Sequence, residues 1–198
     1  MVECGGLENR LTLNESYEGS NPSSSARQRV VISGFMGAGK TTVGHMLADR
    51  MSPKIAWVDL DEYIEEAYSK SISEIFASEG EENFRDTEYH VLMFLLDVHP
   101  KVVISAGGGS LVQERIIEDI PNKDVTVIYL DVPFEVAYDR IKDESDNRAL
   151  ATSKEDLEKL YNQRQDIYKN YCHYYINADQ APEAIADEIL KYIEGADK

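Results

Sequence analysis

The sequence predicts an α/β fold: a parallel β-sheet with helices packed on both faces. Three observations point to it. Apolar runs of strand character alternate with helix-patterned segments along most of the chain. Runs such as Val102-Val103-Ile104 are continuously apolar, as strands buried on both faces should be. The first run, Val30-Val31-Ile32, leads into Gly34-Phe35-Met36-Gly37-Ala38-Gly39-Lys40-Thr41, and a helix pattern with Val43, Met46 and Leu47 on one face follows. This is strand, glycine loop, helix, with the spacing G-x-x-x-x-G-K-[ST]. Glycines let the backbone wrap a phosphate chain with N–H groups pointing inward, and the helix N-terminus adds its own donors.

The elements follow in order. Residues 1–28 are polar and rich in glycine and serine, and predict a disordered tail; the domain is expected to span 29–198. The first helix is expected to end near Met51, because Pro53 blocks continuation. Ile55-Ala56-Trp57-Val58 reads as the second strand, ending at Asp59-Leu60-Asp61, with a helix through Tyr63, Ile64, Ala67 and Tyr68. A short helical piece over Ile72, Ile75 and Phe76 stops at Gly80. Glu81 to Asp97 then forms a longer helix that buries Phe84, Val91, Leu92 and Leu95. The third strand, Val102 to Ser105, runs into Gly107-Gly108-Gly109, and a helix covers Val112 to Glu118. Val125 to Leu130 is the fourth strand, and Asp131-Val132-Pro133 opens the helix Phe134 to Ile141. Residues 142–154 carry no apolar period and predict a mobile loop. A long helix through Leu157, Leu160, Tyr161, Ile167 and Tyr168, a short strand Tyr174 to Ile176 and a closing helix Ala181 to Ile193 complete the chain.

Composition narrows the function. At 198 residues with 42% hydrophobic content there is enough chain for one α/β domain with a full core. A formal net charge of −17 argues against nucleic acid and anionic membrane as partners. It also means that an anionic substrate would need local arginines. Two cysteines, Cys4 and Cys172, in no metal-ligand spacing suit a reducing cytoplasm. The longest apolar run, Val91 to Leu96, is too short to span a bilayer, and the first residues have the pattern of neither a secretory signal nor a transit peptide. No extended apolar surface is evident, so a monomer is expected.

Ligands of such sheets bind at the carboxyl ends of the strands, where the glycine loop, Asp59 and Asp61, Gly107 to Gly109, and Asp131 all fall. In the loop, Gly37, Ala38, Gly39 and Thr42 would line a phosphate chain. Lys40 would reach the β- and γ-phosphates of a nucleoside triphosphate, and the Thr41 hydroxyl would sit on Mg²⁺. Asp59 and Asp61, in extended backbone, could share one cleft, one holding Mg²⁺ and the other deprotonating an acceptor hydroxyl; alternatively Asp61 caps the next helix. Gly107, Gly108 and Gly109 either bring backbone against a substrate or merely connect elements, while Ser105 could support the Mg²⁺ waters. Arg85 either binds substrate or pairs along its helix with Glu81 and Glu88. Arg164 and Arg148 are open in the same way, Arg148 as a loop cation over the transferring phosphoryl group. The guanine signature Asn-Lys-x-Asp is missing, as Asn122-Lys123-Asp124-Val125 ends in valine and precedes its strand. A protein-kinase catalytic loop is also missing, and the third strand ends in Ser-Ala-Gly without a carboxylate. The class left is a small-molecule kinase.

From Val30 to Ile193 the chain resembles the shikimate kinase family. The resemblance rests on the glycine loop, Asp59-Leu60-Asp61 with Ile64-Glu65, Ser71 to Phe76, Gly80 to Arg85, Gly107 to Gly109, Arg148 with Leu150, and Leu160 to Arg164 with Tyr168. It implies a nucleoside-monophosphate-kinase-like three-layer fold with strand order 2-3-1-4-5 and a lid over about 142–154. It also implies transfer of the ATP γ-phosphate to the 3-hydroxyl of shikimate, on the route to chorismate and the aromatic amino acids. In that picture Asp61 activates the hydroxyl, and Arg85 and Arg164 hold the shikimate carboxylate beside Gly107, Gly108 and Gly109. Lys40 and Arg148 hold phosphates, Thr41 and Asp59 hold Mg²⁺, and Arg140 contacts adenine. The lid departs from the family's Arg-Pro-Leu-Leu, reading Arg148-Ala149-Leu150-Ala151, and loss of the proline is expected to loosen it. The competing readings are a kinase for another small acid or polyol, such as gluconate, and a non-catalytic nucleotide-binding module. Retention of Lys40, Asp61 and both arginines argues against the second.

Overall fold

The computed structural model describes residues 28–51, 55–142 and 153–195. The expected tail, apart from Gln28, lies outside the described residues, as do Pro53 and most of the expected lid, Arg148 included. Five strands, β1 (Gln28–Gly34), β2 (Ala56–Asp59), β3 (Lys101–Ser105), β4 (Thr126–Asp131) and β5 (Tyr174–Asn177), form one sheet in the order β2-β3-β1-β4-β5. Every pairing is parallel. Seven helices accompany them among the described residues: α1 (Lys40–Met51), α2 (Leu60–Tyr68), α3 (Ile72–Val98), α4 (Glu114–Asp119), α5 (Phe134–Ile141), α6 (Lys154–Asn170) and α7 (Pro182–Gly195).

The period of two along each strand divides the core into two layers. Val30, Ile32, Val103 and Ile128 face one side, where α1, α5, α6 and α7 contribute Leu47, Ala137, Tyr168 and Ile189. Val31, Val102, Ile104 and Val127 face the other, against Leu60 and Ile64 of α2, Phe84, Leu92 and Leu95 of α3, and Ile116 of α4. β1 lies between β3 and β4, so the chain leaves it in opposite directions on its two sides. The crevice at its carboxyl end is the switch point where α/β sheets bind ligands.

Several boundaries moved for local reasons. The two helical pieces expected around Gly80 are both present within the α3 range: the helix is broken at Gly80, whose φ of 85° and ψ of 166° are not helical. The start of α3 is a capping box: Ser71 accepts from the Glu74 N–H while the Glu74 carboxylate accepts from the Ser71 N–H. β2 includes Asp59, and Asp61 already lies in the first turn of α2. The two acids therefore do not lie along extended backbone, as the spacing suggested. Asp59 is the cap, its Oδ1 accepting from the N–H groups of Asp61 and Glu62 at 3.1 and 3.4 Å, and Asp61 is free of that duty.

Behind the glycine loop, Ser105 does not face the site. Its hydroxyl donates to the Lys40 carbonyl at 3.0 Å and accepts from the Trp57 indole N–H at 3.2 Å. Gly44 leaves the room for this junction; a Cβ there would collide with Ser105 Oγ and stand 2.8 Å from Trp57 Nε1. Gly44→Ala is expected to lower stability by roughly 1–3 kcal/mol, or about 3–10 °C in Tm. An unchanged thermal transition would mean that the junction is not tightly packed.

Candidate active site

The glycine loop turns from β1 into α1 through two left-handed residues, Gly37 (φ 78°) and Gly39 (φ 88°), a conformation that costs any other L-residue energy. The Lys40 ammonium donates to the Phe35 carbonyl at 3.1 Å across the loop it closes. Gly37, Gly39, Lys40, Thr41 and Thr42 line a cleft of about 850 Å³. Ala38 does not line it. Its methyl is buried, and its N–H is spent on the Phe35 carbonyl at 3.1 Å. Arg140 reaches the rim, donating to the carbonyls of Gly37 at 3.1 Å and Ala178 at 3.3 Å.

The Thr41 hydroxyl donates to Asp59 Oδ2 at 2.7 Å. Hydroxyl and carboxylate oxygens are the hard donors that Mg²⁺ takes, and Mg²⁺ bound with a nucleotide completes its shell with waters and phosphates. The pair thus fits the ion.

Asp61 stands on the cleft floor. Burial pushes its pKa up to about 7, helped by the nearby charges of Glu88 and Asp59 and opposed by Lys40 and Arg85. Triglycine backbone makes this crowding possible. A Cβ on Gly107 would lie 2.6 Å from Asp61 Oδ1 and 2.7 Å from Glu88 Oε1, and one on Gly109 would lie 2.6 Å from the Arg85 guanidinium. Gly108 lies over the glycine loop, its Cβ position 3.5 Å from the Met36 nitrogen, so the two glycine-rich turns touch.

Arg85 and Arg164 enter from α3 and α6. Arg85 is held by Glu88 (Nη1 to Oε2, 2.6 Å) and more loosely by Glu81 (3.5 Å), with its guanidinium 5.2 Å from the centre of the Phe84 ring. The helix ion pairs weighed from the sequence do form, yet Arg85 also lines the cleft. Arg164 donates from Nη1 to the Gly108 carbonyl at 2.9 Å. Thus Asp61, Arg85, Arg164 and the three glycines line one cleft with the glycine loop, while Asp131 does not. Asp131 instead accepts from the Tyr129 hydroxyl at 3.1 Å and pairs with Lys169 at 3.2 Å.

The residue missed from sequence is Glu88. It is fully buried, and it accepts from Arg85, from Gln113 Nε2 at 2.6 Å and from the Ser110 hydroxyl. Three donors offset the cost of burying a carboxylate. Its signal was present: Glu88 falls on the apolar stripe of α3, four residues after Phe84 and three before Val91, where a charge needs a reason.

A family model for shikimate kinase matches residues 36–194. The chain belongs to the shikimate kinase family. The shikimate kinases of Aquifex aeolicus and Streptococcus suis are 34% and 37% identical to it; the alignments cover 84% and 81% of this chain and 96% and 98% of theirs. Among solved structures, the shikimate kinase from Acinetobacter baumannii in complex with shikimate superposes with a TM-score of 0.79 at 31% identity, covering 88% of this chain and 98% of that one. A gluconokinase from Sinorhizobium meliloti, at 12% identity and a TM-score of 0.57, shares the fold alone. The shikimate kinase order of motifs accounts for why one cleft carries both a phosphate loop and paired arginines.

Between its ordinary value of 3.8 and about 7, Asp61 of the folded chain holds a proton that the unfolded chain has lost. Stability from this group therefore falls as pH rises through that window, and the full cost is present above it. Asp61→Asn, neutral at every pH, is expected to melt roughly 5 °C above the parent near pH 8, with the gap shrinking toward about pH 5. A gap that stays constant or widens on acidification would remove buried charge as the cause.

Proposed function

We propose that the chain transfers the γ-phosphate of ATP to the 3-hydroxyl of shikimate, with Asp61 as the base and Arg85 and Arg164 as the anchor for the acceptor carboxylate. The observation that carries this reading is the convergence of Asp61, Arg85 and Arg164 on the triglycine turn, directly beside the phosphate loop. A carboxylate acceptor answers the question raised by the charge balance: two arginines stand at a cleft in a chain of net charge −17.

The chemistry follows from the positions. The acceptor hydroxyl gives its proton to Asp61, its oxygen attacks the γ-phosphorus, and the bond from that phosphorus to the β,γ-bridging oxygen breaks to release ADP. A base with a pKa of about 7 is matched to this task near neutral pH, being both able to accept the proton and substantially ionised beforehand. Lys40, with the backbone of Gly37, Gly39 and Thr42, holds the phosphates, and Arg148 from the lid offsets charge on the transferring group. Thr41 and Asp59 would hold Mg²⁺, which when bound would supply positive charge beside the phosphates. Arg140, at the rim, borders the adenine. Residues 29–198 make up the kinase domain, with the lid at about 142–154 and the tail before it.

Among the described residues no helix is long and apolar enough to cross a membrane. The acidic balance, a net charge of −17, supports small-molecule partners over nucleic acid and anionic membrane, and a cytoplasmic monomer is the reading we propose.

Asp61→Asn is expected to lower kcat by about 100-fold or more while ATP affinity stays within about 3-fold, as read by turnover and calorimetric titration. Near-normal turnover would remove Asp61 as base. Arg164→Ala is expected to raise the shikimate KM by roughly 10- to 100-fold with little change in the ATP KM. Equal effects on both would contradict the carboxylate assignment.

A further inference from the structure

α6 turns three side chains toward the loops of the site, at spacings of three and four: Tyr161, Arg164 and Tyr168, of which Arg164 lines the cleft. Tyr161 packs edge-on against Phe35 of the phosphate loop, with ring centres 5.2 Å apart, and its hydroxyl donates to the Val132 carbonyl at 2.8 Å. One turn on, Arg164 Nη1 donates to the Gly108 carbonyl at 2.9 Å. After a further turn, the Tyr168 hydroxyl donates to that same carbonyl. A single helix thus touches the donor loop and the acceptor loop.

Tyr168 is built in a way that core packing alone does not require. Its ring is 3% exposed and stacks on Tyr129 of β4, with centres 5.1 Å apart and planes 21° from parallel. A phenylalanine would serve that stack equally well. The hydroxyl instead takes the second lone pair of a carbonyl already satisfied by Arg164, so its bond is not needed to rescue a buried acceptor. Gly108 has no side chain to restrain its peptide, and its Cβ position meets nothing closer than 3.5 Å. The Ser110 N–H closes the turn on the Gly107 carbonyl at 3.1 Å, and the Gly108 carbonyl within that turn is held from α6 by its two donors. Burial pushes the Tyr168 phenol up to about 12, so it stays a donor at any working pH.

We infer that Tyr168 is a positioning residue for the acceptor site: by fixing the Gly108 carbonyl on its rigid stack, it fixes the guanidinium of Arg164 that shares that carbonyl. An Arg side chain loses much rotamer freedom when it binds a carboxylate. Tying one Nη to a stationary carbonyl removes part of that cost in advance and leaves the other donors for the ligand. The inference rests on the reading of Arg164 as a shikimate contact.

The test is a double-mutant cycle of Tyr168→Phe with Arg164→Ala, measured with shikimate and ATP as varied substrates. Tyr168→Phe alone is expected to raise the shikimate KM by about 3- to 10-fold, leave the ATP KM and kcat within about 2-fold, and melt close to the parent. In the Arg164→Ala background the same substitution is expected to leave the shikimate KM unchanged, because the group it positions is gone. Tyr168→Leu, which removes the stack as well, reports the packing contribution through a lowered Tm. A Tyr168→Phe variant with unaltered shikimate KM overturns the inference, as does an equal KM increase with and without Arg164. In those cases a raised KM in Arg164→Ala alone leaves the carboxylate reading standing. An unaltered shikimate KM in Arg164→Ala removes the carboxylate reading and this inference together.

Discussion

The site depends on one constraint: charged side chains from two helices, α2 and α3, must approach the turn after β3 more closely than any side chain on that turn would allow. Cβ atoms at Gly107 and Gly109 would sit within 2.6 to 2.7 Å of Asp61, Glu88 and Arg85. Those contacts are incompatible with van der Waals packing, so the three groups can share the space only above bare backbone. The turn in turn lies over the phosphate loop, because β3 and β1 are parallel neighbours: Ser105, the last residue of β3, stands opposite Ile32, two residues before the end of β1. Parallel pairing thereby brings together two glycine-rich turns far apart in sequence.

Electrostatics follows from that crowding. Two carboxylates, Asp61 and Glu88, are forced near one another away from bulk water. Glu88 takes the donors: Arg85, Ser110 and Gln113 surround it. Asp61, with fewer compensations, carries the cost as a pKa raised to about 7. One carboxylate thus holds an arginine in place while its neighbour is poised near neutral pH to exchange a proton. The ordinary-looking ion pair on α3 and the acid of raised pKa on α2 are two parts of one arrangement.

Much of this could be read along the chain. Strand and helix alternation, the glycine loop and the apolar runs led to the architecture observed, and the family resemblance supplied its strand order, β2-β3-β1-β4-β5. Roles that depend on which way a side chain turns are not legible in one dimension. Asp59 and Asp61 were treated as neighbours on extended backbone, whereas the helix starts between them and gives the capping duty to Asp59. Ser105 looked available for a metal's waters, but its hydroxyl is held between Lys40 and Trp57. Ala38 belongs to the phosphate motif by position and to the core by contact. Glu88 passed as one half of a surface ion pair because the helical spacing Arg85–Glu88 is also that of countless solvated pairs.

By itself the sequence determined the chemical types and their order: a phosphate loop, two acids, a triglycine turn and paired arginines, each attached to an element whose period is local. Such information survives in one dimension because hydrogen-bonded helices and strands depend on residues a few positions apart. Only the tertiary structure decided which of these groups meet. Arg85 and Arg164 lie 79 residues apart in the chain, and neither their shared cleft nor the burial of Glu88 follows from local spacing. Burial, and the shift in acidity that comes with it, is a property of everything packed around a group. It exists only once the sheet has brought β1 and β3 side by side and the helices have closed over them.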